Sequence, residues 1–365
     1  MRERLRIGVV GLGKMGLSHF AMVNPHPKTD TIACDQPGFI TEVLARNITA
    51  PVVKGFDSLM EDPDLQAVVI ATPSRLHAPM VRQALERDLH VFCEKPFCLD
   101  WQDSAALADL AERKGLVNRV GYHYRHVGAF RELARIVQSG ALGRITQVQA
   151  EAYGPVVLRP KRATWRTDKA EGGGALYDYA AHPLNLLNWY FGTPAEVMGS
   201  DLGHVFSEAT DDQVLSTLRF ENGPVAQLAV NWSDESHRKM STKITLLGTN
   251  GRAYADRQEC QVYLRTPQEA LPGYEAGWTV KYTTELTRDE WFYLRGEEYS
   301  AQIARFVEAA LAGEDTAPEN TFRSAAETDR TMAMILENAR TGQPVGTAPA
   351  PIRPDAAPRR RWFGR

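Results

Sequence analysis

Cysteine is scarce: Cys34, Cys93, Cys98 and Cys260 are the only four in 365 residues, none falls in a CxxC pair, and no histidine-rich stretch lies beside them. A zinc site is therefore not expected, no metal is invoked, and reduced thiols in a cytoplasmic setting are the expectation. An excess of charge of one sign is missing as well. The net charge of -3 and the pI near 6.3 speak against a nucleic-acid-binding or membrane-surface protein, which needs a basic bias. Long apolar runs are lacking, since MRERLR precedes an apolar segment too short for a secretory signal or a membrane span. Internal repeats are lacking too. These absences leave a small-molecule partner.

The chain is too long for one ordinary core and suits two domains, which its 43% of hydrophobic residues can fill. Leu5 to Val10 is a short β-rich run leading straight into Gly11-Leu12-Gly13-Lys14-Met15-Gly16, the GxGxxG spacing. Gly11 permits a tight turn, Gly13 lets backbone approach a pyrophosphate, and Gly16 lets the next helix pack on the strand. Phosphate would sit at that helix N-terminus, so Lys14 and Met15 join the glycines as cofactor contacts. Asp35 falls nineteen residues after Gly16. A carboxylate there accepts from an adenosine ribose 2′-OH and repels a 2′-phosphate, which favours NAD over NADP.

Ala67 to Ala71 reads as a strand buried on both faces, with Thr72-Pro73 at its carboxyl end. His90 to Cys93 is another, and Pro96 forces a turn that presents Glu94 and Lys95 at the same edge. His77, near the start of a helix over 75–87, is read as capping that helix or touching cofactor or substrate. The alternation predicts an α/β Rossmann domain, a doubly wound parallel sheet, over residues 1–122.

From 123 to 345 strand runs follow one another without helices between them. Arg144 to Tyr153 alternates, with Val148, Ala150 and Ala152 on one face and Gln147, Gln149 and Glu151 on the other. Further runs at 212–220, 224–232, 241–247 and 251–256 predict an α+β domain with a large open, mostly antiparallel sheet, covered on one face by helices over 175–191 and 297–312. Residues 266–295 are expected to be irregular, and the Pro/Ala-rich basic end, 346–365, a flexible tail. The connection 154–167 holds Arg159, Lys161, Arg162, Trp165 and Arg166. It is read as a pocket wall favouring phosphate or carboxylate, with Trp165 against a sugar ring, or as a solvated loop.

Within this half, Glu171 to Phe191 reads EGGGALYDYAAHPLNLLNWYF. Three glycines let a loop pass close to a ligand, and a helix starts near Ala175. Helical spacing places Asp178, His182, Asn185 and Trp189 on one face. A carboxylate one turn from an imidazole suits proton transfer, although the stretch alone fits a solvated aspartate and a satisfied histidine better.

Gly11-Leu12-Gly13, Ala71-Thr72-Pro73, Glu94-Lys95-Pro96, Gly121-Tyr122-His123-Tyr124-Arg125 and the Gly172 to His182 block occur in a telling order. In these motifs the chain resembles the glucose-fructose oxidoreductase/inositol dehydrogenase/MocA family, roughly from Leu5 to Val345. The EKP after a Rossmann strand, joined to GGGxLxD and a histidine four residues on, carries the resemblance. It implies Lys95, Asp178 and His182 as a catalytic trio, a cis Lys95-Pro96 peptide, and a homo-oligomer, dimer or tetramer, built on the open sheet face. Substrate contacts are expected from His123, Arg125, Tyr153, Trp165 and Asn185. Ala180 and Asn185 stand where the family pattern has glycine and aspartate, which bears on the hydroxyl pattern read beside His182.

The implied reaction is hydride exchange between NAD and a secondary hydroxyl of a sugar, sugar derivative or cyclitol, an anionic one if the basic loop reaches it. His182 would take the proton, Lys95 would stabilise the alkoxide, and Asp178 would orient Lys95 or His182. The alternatives are an NAD-dependent glycosidase, an oxidoreductase with tightly held cofactor, and a non-catalytic sensor.

Overall fold

The computed structural model describes residues 4–158, 165–221, 223–315 and 318–346. Six strands, β1 (Leu5–Val10), β2 (Thr29–Asp35), β3 (Val52–Lys54), β4 (Ala67–Ile70), β5 (His90–Cys93) and β6 (Asn118–Val120), form a wholly parallel sheet in the order β3-β2-β1-β4-β5-β6. Helices α1 (Lys14–Val23), α2 (Phe39–Asn47), α3 (Phe56–Met60), α4 (His77–Glu86) and α5 (Trp101–Arg113) lie in its crossovers. All four residues of β4 are buried, as a strand covered on both faces requires. The strand order reverses between β1 and β4, and ligands bind outside the carboxyl ends of strands at such a point.

The rest of the chain runs through α6 (Gly128–Ser139), β7 (Ile145–Tyr153), α7 (Ala181–Phe191), β8 (Glu196–Gly203), β9 (Gln213–Arg219), β10 (Val225–Asn231) and β11 (Ser241–Gly248). After these come β12 (Gly251–Ala255), β13 (Glu259–Leu264), β14 (Gly277–Tyr282), α8 (Thr283–Leu286), α9 (Glu297–Ala312), α10 (Phe322–Thr341) and β15 (Val345–Gly346). Nine strands form the second sheet, β14-β13-β12-β11-β7-β10-β9-β8-β15. Among the described residues only the central β7–β10 pairing of this sheet is parallel. The alternation along β7 holds, with Val148, Ala150 and Ala152 buried and Gln147 and Gln149 exposed.

Three expectations are corrected. Residues 266–295 are not wholly irregular, because β14 closes one edge of the sheet there and α8 follows it. The helix over 297–312 does not cover the second sheet: its Ile303, Phe306 and Val307 pack with Leu5, Ile7, Val9 and Phe92 of the first. An apolar stripe tells that a helix is buried, not against which sheet. Gly346, expected in the tail, instead pairs with Glu196 at the sheet edge. Residues 347–365 lie outside the described residues. The second sheet is instead covered by α6, α7 and α10, and α10 also lies along α5 of the first domain.

Candidate active site

The turn after β1 is built by sterics. Gly11 has φ +85, and a Cβ on it would meet the Thr72 nitrogen at 2.8 Å; a Cβ on Gly16 would lie 1.6 Å from the Gly11 carbonyl oxygen. Gly13 is different, for a Cβ there would meet nothing within 4 Å. It borders a cleft of ≈ 340 Å³ shared with Gly11, Asp35, Thr72, Pro73 and Arg75. Backbone N–H groups at the start of α1 thus have room for a pyrophosphate, and the residues present fit a dinucleotide. Asp35 Oδ2 accepts the Leu12 N–H at 2.6 Å and Oδ1 the Gln36 N–H at 2.7 Å, which fixes the carboxylate at the rim.

At the ends of β4 and β5 the loops are stapled together. His77 is buried, with Nε2 3.0 Å from the Thr72 carbonyl oxygen and Nδ1 2.9 Å from that of Pro96. It joins the two loops, and burial holds its pKa down. The Lys95-Pro96 peptide is cis. Glu94 is held from below by His19 of α1, whose Nε2 is 2.7 Å from Oε1, while Oε2 accepts the Lys95 N–H at 3.1 Å. Burial pushes the Glu94 carboxyl up, but His19 and Lys95 outweigh it and leave the pKa below its ordinary value. Sequence reading missed His19, although its place eight residues past Gly11, on the helix that faces β5, was the available signal.

The Lys95 ammonium reaches across to the second half of the chain. It donates to the Asp178 backbone oxygen at 2.9 Å and to Oδ1 at 3.0 Å. Asp178 Oδ2 accepts Arg166 Nε at 2.8 Å. Burial would raise this carboxyl; the two cations reverse that and hold it ionised. Asp178 therefore orients Lys95, and no hydrogen bond joins it to His182 among the described residues. The reason is local: Leu176–Ala180 is a π-helical turn, and α7 starts only at Ala181, so the one-face spacing breaks between the two residues.

His182 is 3% exposed and walled by aromatic rings: Tyr122 at 6.2 Å, Tyr124 at 4.8 Å and His123 at 5.0 Å between centroids. Burial, then the charges of Lys95 and Arg257, push its pKa well below the ordinary value. The imidazole is neutral at pH 7 and able to accept a proton. His123 backs it, stacked on Tyr299 at 4.2 Å and buried, so it supports His182 from behind.

The three glycines are shaped by the protein itself, not only by a ligand. A Cβ on Gly173 would fall 2.5 Å from the Arg166 carbonyl oxygen, and one on Gly174 would fall 2.3 Å from Asp211 Oδ1. Asp211 in turn accepts the Leu176 N–H at 2.7 Å and starts the helix, a role sequence reading did not assign. Across the cleft, Arg75 of the first domain bonds Glu171.

Other candidates fall elsewhere. Arg125 donates to the Asn185 side chain at 2.8 Å and backbone at 3.2 Å and lies over Trp189, while Asn185 donates to Thr328 at 3.1 Å. Both are buried, and they tie the 123–126 turn, α7 and α10 together. Burial brings the Arg125 guanidinium down to about 10. Tyr153 shares the parity of Gln149 and Glu151, and its hydroxyl donates to Glu151 at 3.2 Å, so it belongs to the open face of the sheet. Trp165 lines a cleft with Pro73 and Glu171, under the Arg166 guanidinium. Arg159, Lys161 and Arg162 lie outside the described residues. Among the described residues no group of three or more His, Cys, Asp or Glu side chains could hold a metal ion, and no helix is long and apolar enough to cross a membrane.

A dinucleotide crevice at a sheet switch point, closed by a lysine, an aspartate and a neutral histidine from two domains, defines a nicotinamide-dependent oxidoreductase. Residues 5–122 match the family model described as oxidoreductase family, NAD-binding Rossmann fold, and residues 130–254 match the GFO/IDH/MocA C-terminal domain. The chain belongs to the GFO/IDH/MocA family, and NAD is its cofactor. It is 27% identical over 315 residues to levoglucosan dehydrogenase of Pseudarthrobacter phenanthrenivorans, covering 76% of this chain and 80% of that one. It is 30% identical over 259 residues, 70% of this chain and 76% of the other, to dTDP-3,4-didehydro-2,6-dideoxy-alpha-D-glucose 3-reductase of Saccharopolyspora spinosa. The fold is similar to that of levoglucosan dehydrogenase in complex with NADH and levoglucosan, with a TM-score of 0.82 at 23% identity over 94% of this chain and 99% of that one.

Proposed function

We propose that this enzyme is an NAD-dependent dehydrogenase or reductase acting on a secondary hydroxyl, or the matching ketone, of a sugar, sugar derivative or cyclitol. The observation that carries the reading is the Lys95 ammonium fixed on Asp178 in the same buried cluster as the neutral His182. Bound NAD supplies the hydride acceptor; everything else is done by side chains. His182 takes the hydroxyl proton, Lys95 stabilises the negative charge growing on that oxygen, and Asp178 keeps Lys95 aimed. Trp165, at the rim of a cleft with Pro73 and Glu171, lies against the sugar ring in this reading, and Asp35 favours NAD over NADP. The names of the two curated relatives, both enzymes of sugars, support the substrate class.

Residues up to 122 carry the cofactor in this reading, and the remainder carries substrate and subunit contacts. Four free, buried cysteines agree with a reducing, cytoplasmic setting. The described part of the basic loop gives no further support for an anionic substrate, because Arg166 already pairs with Asp178.

The test is NADH formation against inositols, free aldoses, uronic acids and nucleotide sugars, repeated with NADP. Activity on a neutral sugar or cyclitol with NAD is the expected outcome. No turnover with any of them, or release of an aglycone without net NADH, would defeat the reading.

A further inference from the structure

Asp329 is a carboxyl the mechanism does not use. It lies on α10, is 4% exposed, and faces the turn that carries Lys95. Its Oδ2 accepts the Cys98 N–H at 3.1 Å and the Ser104 hydroxyl at 2.6 Å, joining α10 to the segment after Pro96 and to α5. Its Oδ1 is buried without a hydrogen-bond partner among the described residues, and so is the Tyr122 hydroxyl. Tyr122 stands edge-on to His182. The same helix grips both strand-end loops by other means: Phe322 stacks on Phe97 at 4.2 Å, and Asn320, just before it, donates to the Tyr122 carbonyl at 2.9 Å.

We propose that Asp329 is a positioning residue, which from α10 holds the 95–98 turn and thereby sets where the Lys95 ammonium stands. The proposal rests on the reading of Lys95 as the group beside the reacting oxygen. A turn that is merely packed can shift by fractions of an ångström; one tied through a backbone N–H cannot shift without losing a buried hydrogen bond. Lys95 is three residues from that N–H, and small misplacements of an aligned group lower rate more than binding.

The carboxyl also titrates in a useful range. The groups facing it are Ser104 on α5, Cys98 and Cys93 around the turn, Tyr122 after β6 and Tyr177 before α7, and no cation pairs with it among the described residues. Burial pushes its pKa up to about 7. A carboxyl raised in the folded state binds more protons there than in the unfolded chain, so its contribution to stability falls as pH rises from about 4 to about 7. An asparagine would keep the acceptor and remove that slope.

The experiment compares wild type, Asp329→Ala, Asp329→Asn and Ser104→Ala in full-length protein, with kcat, KM, NADH binding by fluorescence, and melting temperature from pH 5 to 8. Asp329→Ala is expected to lower kcat about tenfold or more with NADH affinity within about twofold. Asp329→Asn should restore most of kcat and melt with a flatter pH dependence than wild type. Ser104→Ala, which removes one of the two bonds, should lower kcat severalfold, and it serves if Asp329→Ala fails to fold. Unchanged kcat in Asp329→Ala, or in Ser104→Ala if that variant must stand in, would overturn the proposal whatever happens to the melting temperature. A wild type with no activity on any sugar would instead sink the role of Lys95 itself, which is a different result from an active wild type matched by its variants.

Discussion

The chemistry of single residues here is set by burial acting against charge. Asp178 stays ionised in a dry site because Lys95 and Arg166 each bond one oxygen. His182 stays neutral because burial and two nearby cations push the same way. Alcohol oxidation needs the unprotonated imidazole, so the acid limb of the pH–rate profile should lie below pH 6.5, with no loss through His182 on going from 6.5 to 8. Arg257→Ala removes one of those cations and should move the limb toward higher pH; an unmoved limb would show that Arg257 does not reach His182. Lys95→Ala should leave NAD binding within about twofold and cut turnover by about a hundredfold or more, because it removes a charge that matters most when alkoxide forms. Equal turnover would contradict the assignment.

Elements deliver these residues in ways no window of sequence contains. The motif Gly172-Gly173-Gly174 was readable as a flexible approach to a ligand, yet its glycines are needed because the Arg166 carbonyl and Asp211 press against them. Gly173→Ala should therefore displace the loop that brings Arg166 to Asp178. We expect kcat to fall more than NAD affinity, with a destabilisation of about 1–3 kcal/mol visible in denaturant melts. If kcat and stability are both unchanged, the close contact is not real. The π turn before α7 belongs to the same lesson: Asp178 and His182 are four apart in number, but a turn of that width breaks their common face. Periodicity assumes the regular helix and had no signal for the change.

At the scale of the molecule, the second sheet leaves one face bare among the described residues. Arg219, Val225, Gln147, Leu247, Arg252, Tyr263 and Trp278 are partners in register across seven strands and form a single outward row. Val225, Leu247, Tyr263 and Trp278 in that row are exposed, as are Val280 and Tyr282 on β14. Apolar surface of this extent is usually an interface, and a flat sheet can meet its own copy about a two-fold axis. Light scattering should show a dimer or tetramer, and Val225→Arg with Leu247→Arg should reduce the mass toward a monomer while leaving the fold intact. Wild-type mass in the double variant would exclude this face.

The sequence by itself determined everything governed by short-range rules. The parallel sheet followed from buried strands punctuated by GxGxxG, Thr72-Pro73 and Glu94-Lys95-Pro96, and the alternation of β7 from a period of two. The pairing of Asp178 with Lys95 over His182, the removal of Arg125 and Asn185 into the interior, the turning of Tyr153 to the open face, and the destinations of α9 and α10 were decided only by tertiary structure. Each depends on which distant segment fills the space beside a side chain. That contact is a property of the closed fold and leaves no trace in the spacing of residues along the chain.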